Sequence, residues 1–168
     1  MKMTCFMTYV MKKGGELVYL DQYPTDESYE FVEMTLNNPE ALPKISDFAA
    51  WNTEGDQSEL LFQGNKVILL SSNLTKMSSS NLNQLTQLFS SLQKAPVELI
   101  FMAAATQEEI DALIQKMGWP VQGLQADATV VKTIMRANPG LMLLKDGVVI
   151  GKYHHNNTPE ALEVLELF

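Results

Sequence analysis

The stretch 137-ANPGLMLLKDGVVIGKYHH-155 decides how the rest of the chain is read. Asn138, Pro139 and Gly140 resist regular structure. Leu141 to Leu144 and Val148 to Ile150 are short apolar runs that read as strands. Asp146-Gly147 lies between them, and such a pair tolerates the positive φ of a tight hairpin turn. The segment is therefore a β-hairpin whose first strand is reached through a proline. Proline donates nothing to a ladder, so it belongs at a strand's first residue or on an edge. From these residues alone, a cis and a trans Asn138–Pro139 bond are both open, and trans is the commoner form.

Working outward, apolar strands alternate with amphipathic helices. Residues 66–72, KVILLSS, form a continuous apolar run, as expected of a central strand buried on both faces. A polar loop over 71–80 follows, then a helix over 81–92. Its Leu82, Leu85, Leu88, Phe89 and Leu92 recur at three- and four-residue steps. Ser78, Ser79 or Ser80 is expected to cap it. A second buried strand spans 97–104. Thr106 and Glu109 form a capping-box pair for a helix whose apolar face is Ile110, Leu113, Ile114 and Met117, with Gly118 at its end. Trp119-Pro120 opens a loop, and 127–136 reads as a short helix. After the hairpin, Thr158 and Pro159 start a last helix to 168.

Before the central strand, 3–10 and 16–20 read as strands joined at Lys13-Gly14-Gly15, with a short strand at Tyr29 to Met34. Residues 44–62 read as two short strands around Glu54-Gly55-Asp56. The expected class is α/β: a central mixed sheet flanked by helices, with an extra N-terminal β-hairpin. Residues 1–42 would be that hairpin and its connector, and 43–168 the main domain.

The totals bound the function. A chain of 168 residues can bury a core without disulfides or metals. A net charge of −8 makes a poor partner for phosphate backbones, so nucleic acid is set aside. No apolar run approaches the roughly 20 residues that span a bilayer, and the first residues do not read as a signal peptide. The chain holds a single cysteine, Cys5. One cysteine supplies neither an internal disulfide, nor a Cys-x-x-Cys pair, nor a zinc cage. Cys5 is expected to be an inert packed thiol.

The order of elements resembles the thioredoxin fold. NPGLMLLKDGVVIG is similar to the proline loop, strand, turn and strand of thioredoxins, where this proline is cis. The run 43-PKISDFAAWNTEGDQSELLFQGNKVILLSS-72 resembles the approach to the redox loop in the TlpA-like and peroxiredoxin-like redoxins. A narrower resemblance covers nearly the whole chain. The opening hairpin, the Tyr23-Pro24 connector and NPGLMLLKDGVVIGKYHHNNTP are similar to the C-terminal soluble domain of DoxX-family membrane proteins typical of Bacteroidetes. That resemblance implies a domain that follows a bundle of transmembrane helices and lies outside the cytoplasmic membrane, on the periplasmic face of the envelope.

In catalytic relatives the Cys-x-x-Cys sits at the N-terminus of the first long helix, where amides and dipole lower the first thiol's pKa. Counting from Lys66-Val67, the resemblance puts that motif on Met77, Ser78, Ser79 and Ser80. A thioether has no proton to lose, and a serine hydroxyl has no comparable redox chemistry. The buried acid of thioredoxins would fall at Ser71. No dithiol exchange is expected of this chain by itself.

Other chemistries fare no better. A serine nucleophile needs a positioned base, and the only histidines are His154 and His155, on a polar loop. Adjacent histidines are expected to diverge, with no third ligand to hold a metal. Ten methionines suggest Cu(I), but most lie at apolar periodic positions, so they read as core. Glu108, Glu109 and Asp111 offset a helix dipole. No cofactor and no metal is expected. What the resemblance leaves is a shallow groove of Met77, Ser78, Ser79, Ser80, Asn138 and Pro139, with Asn138 facing Met77. In thioredoxins the residue before the proline pairs with a client's main chain. The groove binds a protein or peptide partner, or the domain's own transmembrane region; otherwise the fold persists only as a stable module and the groove binds nothing. Two functions remain open: a non-catalytic interaction or scaffold domain, and a component of a thiol–disulfide oxidoreductase system whose cysteines lie elsewhere.

Overall fold

The computed structural model describes residues 7–26, 28–36 and 48–168. The chain divides into two compact units, residues 1–47 and residues 48–168. In the first, β1 (Met7–Lys13), β2 (Glu16–Leu20) and β3 (Glu30–Leu36) form an antiparallel sheet in the order β2-β1-β3. Gly14 and Gly15 turn the first hairpin at φ of 60° and 93°, where a side chain would be strained. Lys13 binds Asp26 at 3.2 Å and lies 4.2 Å from the Tyr29 ring centre. Hydrogen bonds from the Ser28 amide and hydroxyl, then Lys13, hold the Asp26 carboxyl down at about 2. Cys5 lies outside the described residues, as do residues 44–47 of the expected first short strand.

The second unit is built on one seven-stranded sheet. Its strands are β4 (Ala50–Asn52), β5 (Gly55–Asp56), β6 (Asn65–Ser71), β7 (Glu98–Ala103), β8 (Gln122–Ala126), β9 (Gly140–Lys145) and β10 (Val148–His154). The order is β10-β9-β6-β7-β8-β4-β5. β6, β7 and β8 run parallel, and β9 joins β6 antiparallel with Leu69 opposite Leu141. The helices are α1 (Leu82–Leu92), α2 (Gln107–Met117), α3 (Ala128–Ile134) and α4 (Ala161–Leu167).

Alternation along β6 sorts the core into two layers. Val67 and Leu69 face Leu85, Leu88, Phe89 and Leu92 of α1, Ile110 of α2 and Val164 of α4. Ile68 and Leu70 face the other layer, with Leu61, Val131 of α3, Met135 and Met142. Every one of these is at most 7% exposed, which is why the strand reads as an unbroken apolar run.

Several local expectations need correction. Residues 122–126 form β8, a third parallel strand hidden by Gln122, Gly123 and Gln125, which carry little strand propensity. Gly123 is required there: a Cβ would sit 2.7 Å from Ile110 Cγ2 of α2. The two short strands expected within 44–62 form as the β4–β5 pair, but the second stops at Asp56 and residues 58–62 make a 3-10 turn. α4 begins at Ala161 with Glu160 at its N-cap position, two residues later than Thr158 and Pro159 suggested. Thr158 instead accepts a hydrogen bond from Asn81 Nδ2 at 2.8 Å. The Thr106–Glu109 capping box forms as expected, and Gly118 takes the left-handed conformation at φ 65°. Trp119 opens a loop as expected and is buried there: its indole N–H donates to Thr86 Oγ1 at 2.8 Å and its ring meets Phe89 and Phe101 edge-on.

Candidate functional site

The candidate site lies where the loop after β6 meets the turn before β9. β6 ends at Ser71, which is fully buried, and its carbonyl accepts from the Ala104 amide at the end of β7. The chain then makes a 3-10 turn over Leu74–Lys76. Asn73 Oδ1 shapes it by accepting from Thr75 Oγ1 at 2.7 Å and the Lys76 amide at 3.1 Å. Met77 leaves the turn in an extended conformation, φ −68° and ψ 127°. Its side chain is half-buried and packs with Leu74 against the α1 side of the core.

Ser78, Ser79 and Ser80 precede α1 rather than cap it. Ser78 Oγ lies 2.9 Å from Ser80 Oγ and accepts weakly from the Ser80 amide at 3.3 Å. The N-cap position belongs to Asn81, and its side chain makes no capping bond. Asn81 is 3% exposed; its Nδ2 turns to Thr158, and its Oδ1 has no hydrogen-bond partner among the described residues. The serine-cap expectation is therefore corrected: helical geometry starts at Leu82, which puts Asn81 and not a serine at the N-cap position.

On the other side of the site, Pro139 is buried and the Asn138–Pro139 bond is cis. All of the polar atoms of Asn138 except its amide are engaged by the facing loop. Its Oδ1 accepts from Ser71 Oγ at 2.8 Å and from the Ser72 amide at 3.1 Å. Its Nδ2 donates to the Asn73 carbonyl at 2.8 Å. Its carbonyl accepts from the Ser78 amide at 2.9 Å. So the main-chain partner of Asn138 is Ser78. Sequence reasoning singled out Asn138 but passed over Ser72, Asn73 and Asn81. The signal for the first two was the polar Ser71-Ser72-Asn73 run closing an apolar strand.

No titratable side chain hydrogen-bonds to Ser78, Ser79 or Ser80 among the described residues. Contrary to expectation, His154 and His155 do not diverge: their rings stack with centres 3.9 Å apart. His154 Nδ1 accepts from the Asn156 amide, and the buried His155 Nδ1 has no hydrogen-bond partner among the described residues. No group of three potential ligands from His, Cys, Asp and Glu gathers among the described residues. No described helix is long and apolar enough to cross a membrane.

Comparison with known proteins agrees with this architecture. No family model matches the chain, and no curated protein matches it. Among solved structures, StoA from Bacillus subtilis superposes with a TM-score of 0.52 at 13% identity, over 74% of this chain and 98% of StoA. Copper-bound ScoI from Arabidopsis thaliana gives 0.50 at 10% identity, over 71% of this chain and 94% of its own. A thioredoxin-like protein from Aeropyrum pernix gives 0.48 at 13% identity, over 63% and 76% of the two chains. At these identities the likeness concerns the fold, and the fold of this chain is thioredoxin-like, with an extra N-terminal sheet.

Proposed function

We propose that the chain is a non-catalytic thioredoxin-like domain, an interaction or scaffold module of a DoxX-type envelope membrane protein on its periplasmic face. One observation carries the loss of chemistry. Met77, which the sequence resemblance aligns with a redoxin's attacking thiol, packs its thioether against the core and cannot ionise. Ser71, which the same resemblance aligns with the buried acid, commits its hydroxyl to Asn138. Nucleophile and proton carrier are replaced together, by groups that stabilise the loop. The candidate binding surface is the groove of Met77, Ser78, Ser79, Ser80, Asn138 and Pro139, and its partner is a protein segment.

The test is insulin-disulfide reduction with dithiothreitol as electron donor. The expected rate equals that of the no-protein control. Turnover above it that survives Cys5→Ser would overturn the non-catalytic reading.

A further inference from the structure

We propose that the chain self-associates through the outer edge of β2, two copies pairing antiparallel about a two-fold axis at Val18. Four strands form sheet edges among the described residues: β2 and β3 in the first unit, β5 and β10 in the second. Three of them are poor templates for another strand. β5 is two residues long. β10 is interrupted at Ile150, which is skipped in its pairing with β9, and carries Lys152 just beyond. β3 is interrupted at Val32, skipped between the Met11–Phe31 and Val10–Glu33 pairs, and carries Glu30 and Glu33. Bulges and charges of this kind keep an edge from pairing. β2 has neither defence: ELVYL runs against β1 without a break, and its one charge, Glu16, is its first residue.

Turn geometry fixes which main-chain groups face outward. Lys13 and Glu16 pair across a two-residue turn with positive φ at Gly14 and Gly15, a form closed by a hydrogen bond between its outer residues. Glu16, Val18 and Leu20 therefore aim their amides and carbonyls at β1, while Leu17 and Tyr19 aim theirs away from it. An axis at Val18 sets Leu17 of each copy opposite Tyr19 of the other, so every outward group of the strand finds a partner. With the axis at Leu17 or at Tyr19, the other of the two would face Gly15 or Asp21, outside the strand.

The side chains select a second copy as the occupant. Leu17 and Tyr19 project from one face, 55% and 67% exposed, and the pairing joins them into a row of four apolar groups across the axis. Glu16 faces Leu20 of the second copy and never another carboxylate, so the contact adds nothing to the repulsion that a net charge of −8 sets between copies. ELVYL is thus complementary to its own reverse in both size and charge. One strand pair buries less than a standard interface, so the dimer is a weak one.

Sedimentation equilibrium on the full chain carrying Cys5→Ser tests the association. The weight-average mass should rise by at least about 1.3-fold between about 10 μM and about 1 mM. Leu17→Lys with Tyr19→Lys, both at exposed positions, should abolish the rise. A mass that stays monomeric, or a rise that survives both lysines in a folded variant, would overturn the proposal. Register is read separately. Val18→Cys in the same background sets two thiols at the axis, in a pair whose Cα atoms lie about 4.5 Å apart, within disulfide reach. Mild oxidation should link its copies about ten-fold faster than those of Val32→Cys on β3. Equal rates, or faster linkage through residue 32, would take the contact off β2 and likewise overturn it. Neither readout involves the groove or insulin reduction, so self-association and the non-catalytic reading stand or fall separately.

Discussion

Ser71 Oγ donates to Asn138 Oδ1 at 2.8 Å, joining residues 67 apart in sequence at the floor of the candidate site. Ser71 is fully buried, so this bond satisfies a hydroxyl that has no water to turn to. Asn138→Ala leaves that hydroxyl and the Ser72 amide without their acceptor. The expected loss is about 1–3 kcal/mol in urea unfolding. Ser71→Ala, which removes the donor as well as its need, should cost less. A double-mutant cycle should return a coupling of about 1 kcal/mol; a coupling near zero would show that Asn138 acts through its other bonds.

Gly140 begins β9 against Met135. A Cβ at this position would run into Met135 Cγ and Sδ. Met135 is 7% exposed and has little room to move. Gly140→Ala should cost about 1–3 kcal/mol by overpacking. Met135→Ala opens that space at the cost of a cavity. Combined, the two should destabilise by clearly less than their sum in thermal unfolding. Additive losses would place the strain elsewhere.

The central strands, the amphipathic faces of α1 and α2 and the hairpin at Asp146-Gly147 were legible because each rests on a local rule: periodicity, a capping box, a turn pair. Asp146 and Gly147 do adopt positive φ, 48° and 75°. β8 was illegible because its QGLQA sequence is made a strand by its neighbours: Leu124 and Ala126 are buried, and Gly123 admits α2. The start of α1 was misplaced because three serines outweighed Asn81, whose side chain is recruited by Thr158 across 77 residues. Likewise Asn138 could be named, but its bonds to Ser71, Ser72, Asn73 and Ser78 are tertiary and leave no local trace.

The site geometry favours one engineered thiol pair over another. Ser78 Oγ and Ser80 Oγ are 2.9 Å apart, whereas Met77 packs half-buried against the core and Ser80 is exposed. Ser78→Cys with Ser80→Cys should therefore oxidise to a disulfide under mild air or glutathione oxidation. Met77→Cys with Ser80→Cys should lag behind it, although the latter restores the redoxin spacing. Peptide mapping of both folded variants decides the order, and faster closure of the 77–80 pair would refute this geometry.

Two exposed caps make stability depend on acid. Hydrogen bonds from the Thr106 amide and hydroxyl hold the Glu109 carboxyl below its ordinary range, and the Val130 and Thr129 amides do the same for Asp127. A carboxyl whose folded pKa is lowered stabilises the fold fully above its unfolded pKa and loses that contribution as pH falls through the folded value. The urea midpoint of the chain should hence fall as pH drops through and below the ordinary carboxylate range. Asp127→Asn keeps an oxygen acceptor for the α3 amides but no longer titrates. Its midpoint should decline less steeply over that window. An unchanged slope would remove Asp127 from the account.

Lys66 and Glu98 face each other across the parallel β6–β7 ladder, with Nζ 2.6 Å from Oε1. The two ends are unequal: the Lys66 side chain is 1% exposed and that of Glu98 56%. Solvent around the carboxylate weakens the pair, while the ammonium depends on it for most of its solvation. The consequences of deleting each partner are therefore asymmetric. Glu98→Gln leaves a buried cation with a neutral acceptor and should cost about 1–3 kcal/mol. Lys66→Met removes the charge and keeps the aliphatic stem against the sheet, so its effect should lie within about 1 kcal/mol of zero. Urea unfolding at neutral pH measures both. Should Lys66→Met prove the more damaging, the ammonium would be contributing bonds that a methionine cannot replace, and the pair would be holding the β6–β7 register rather than merely tolerating a buried charge.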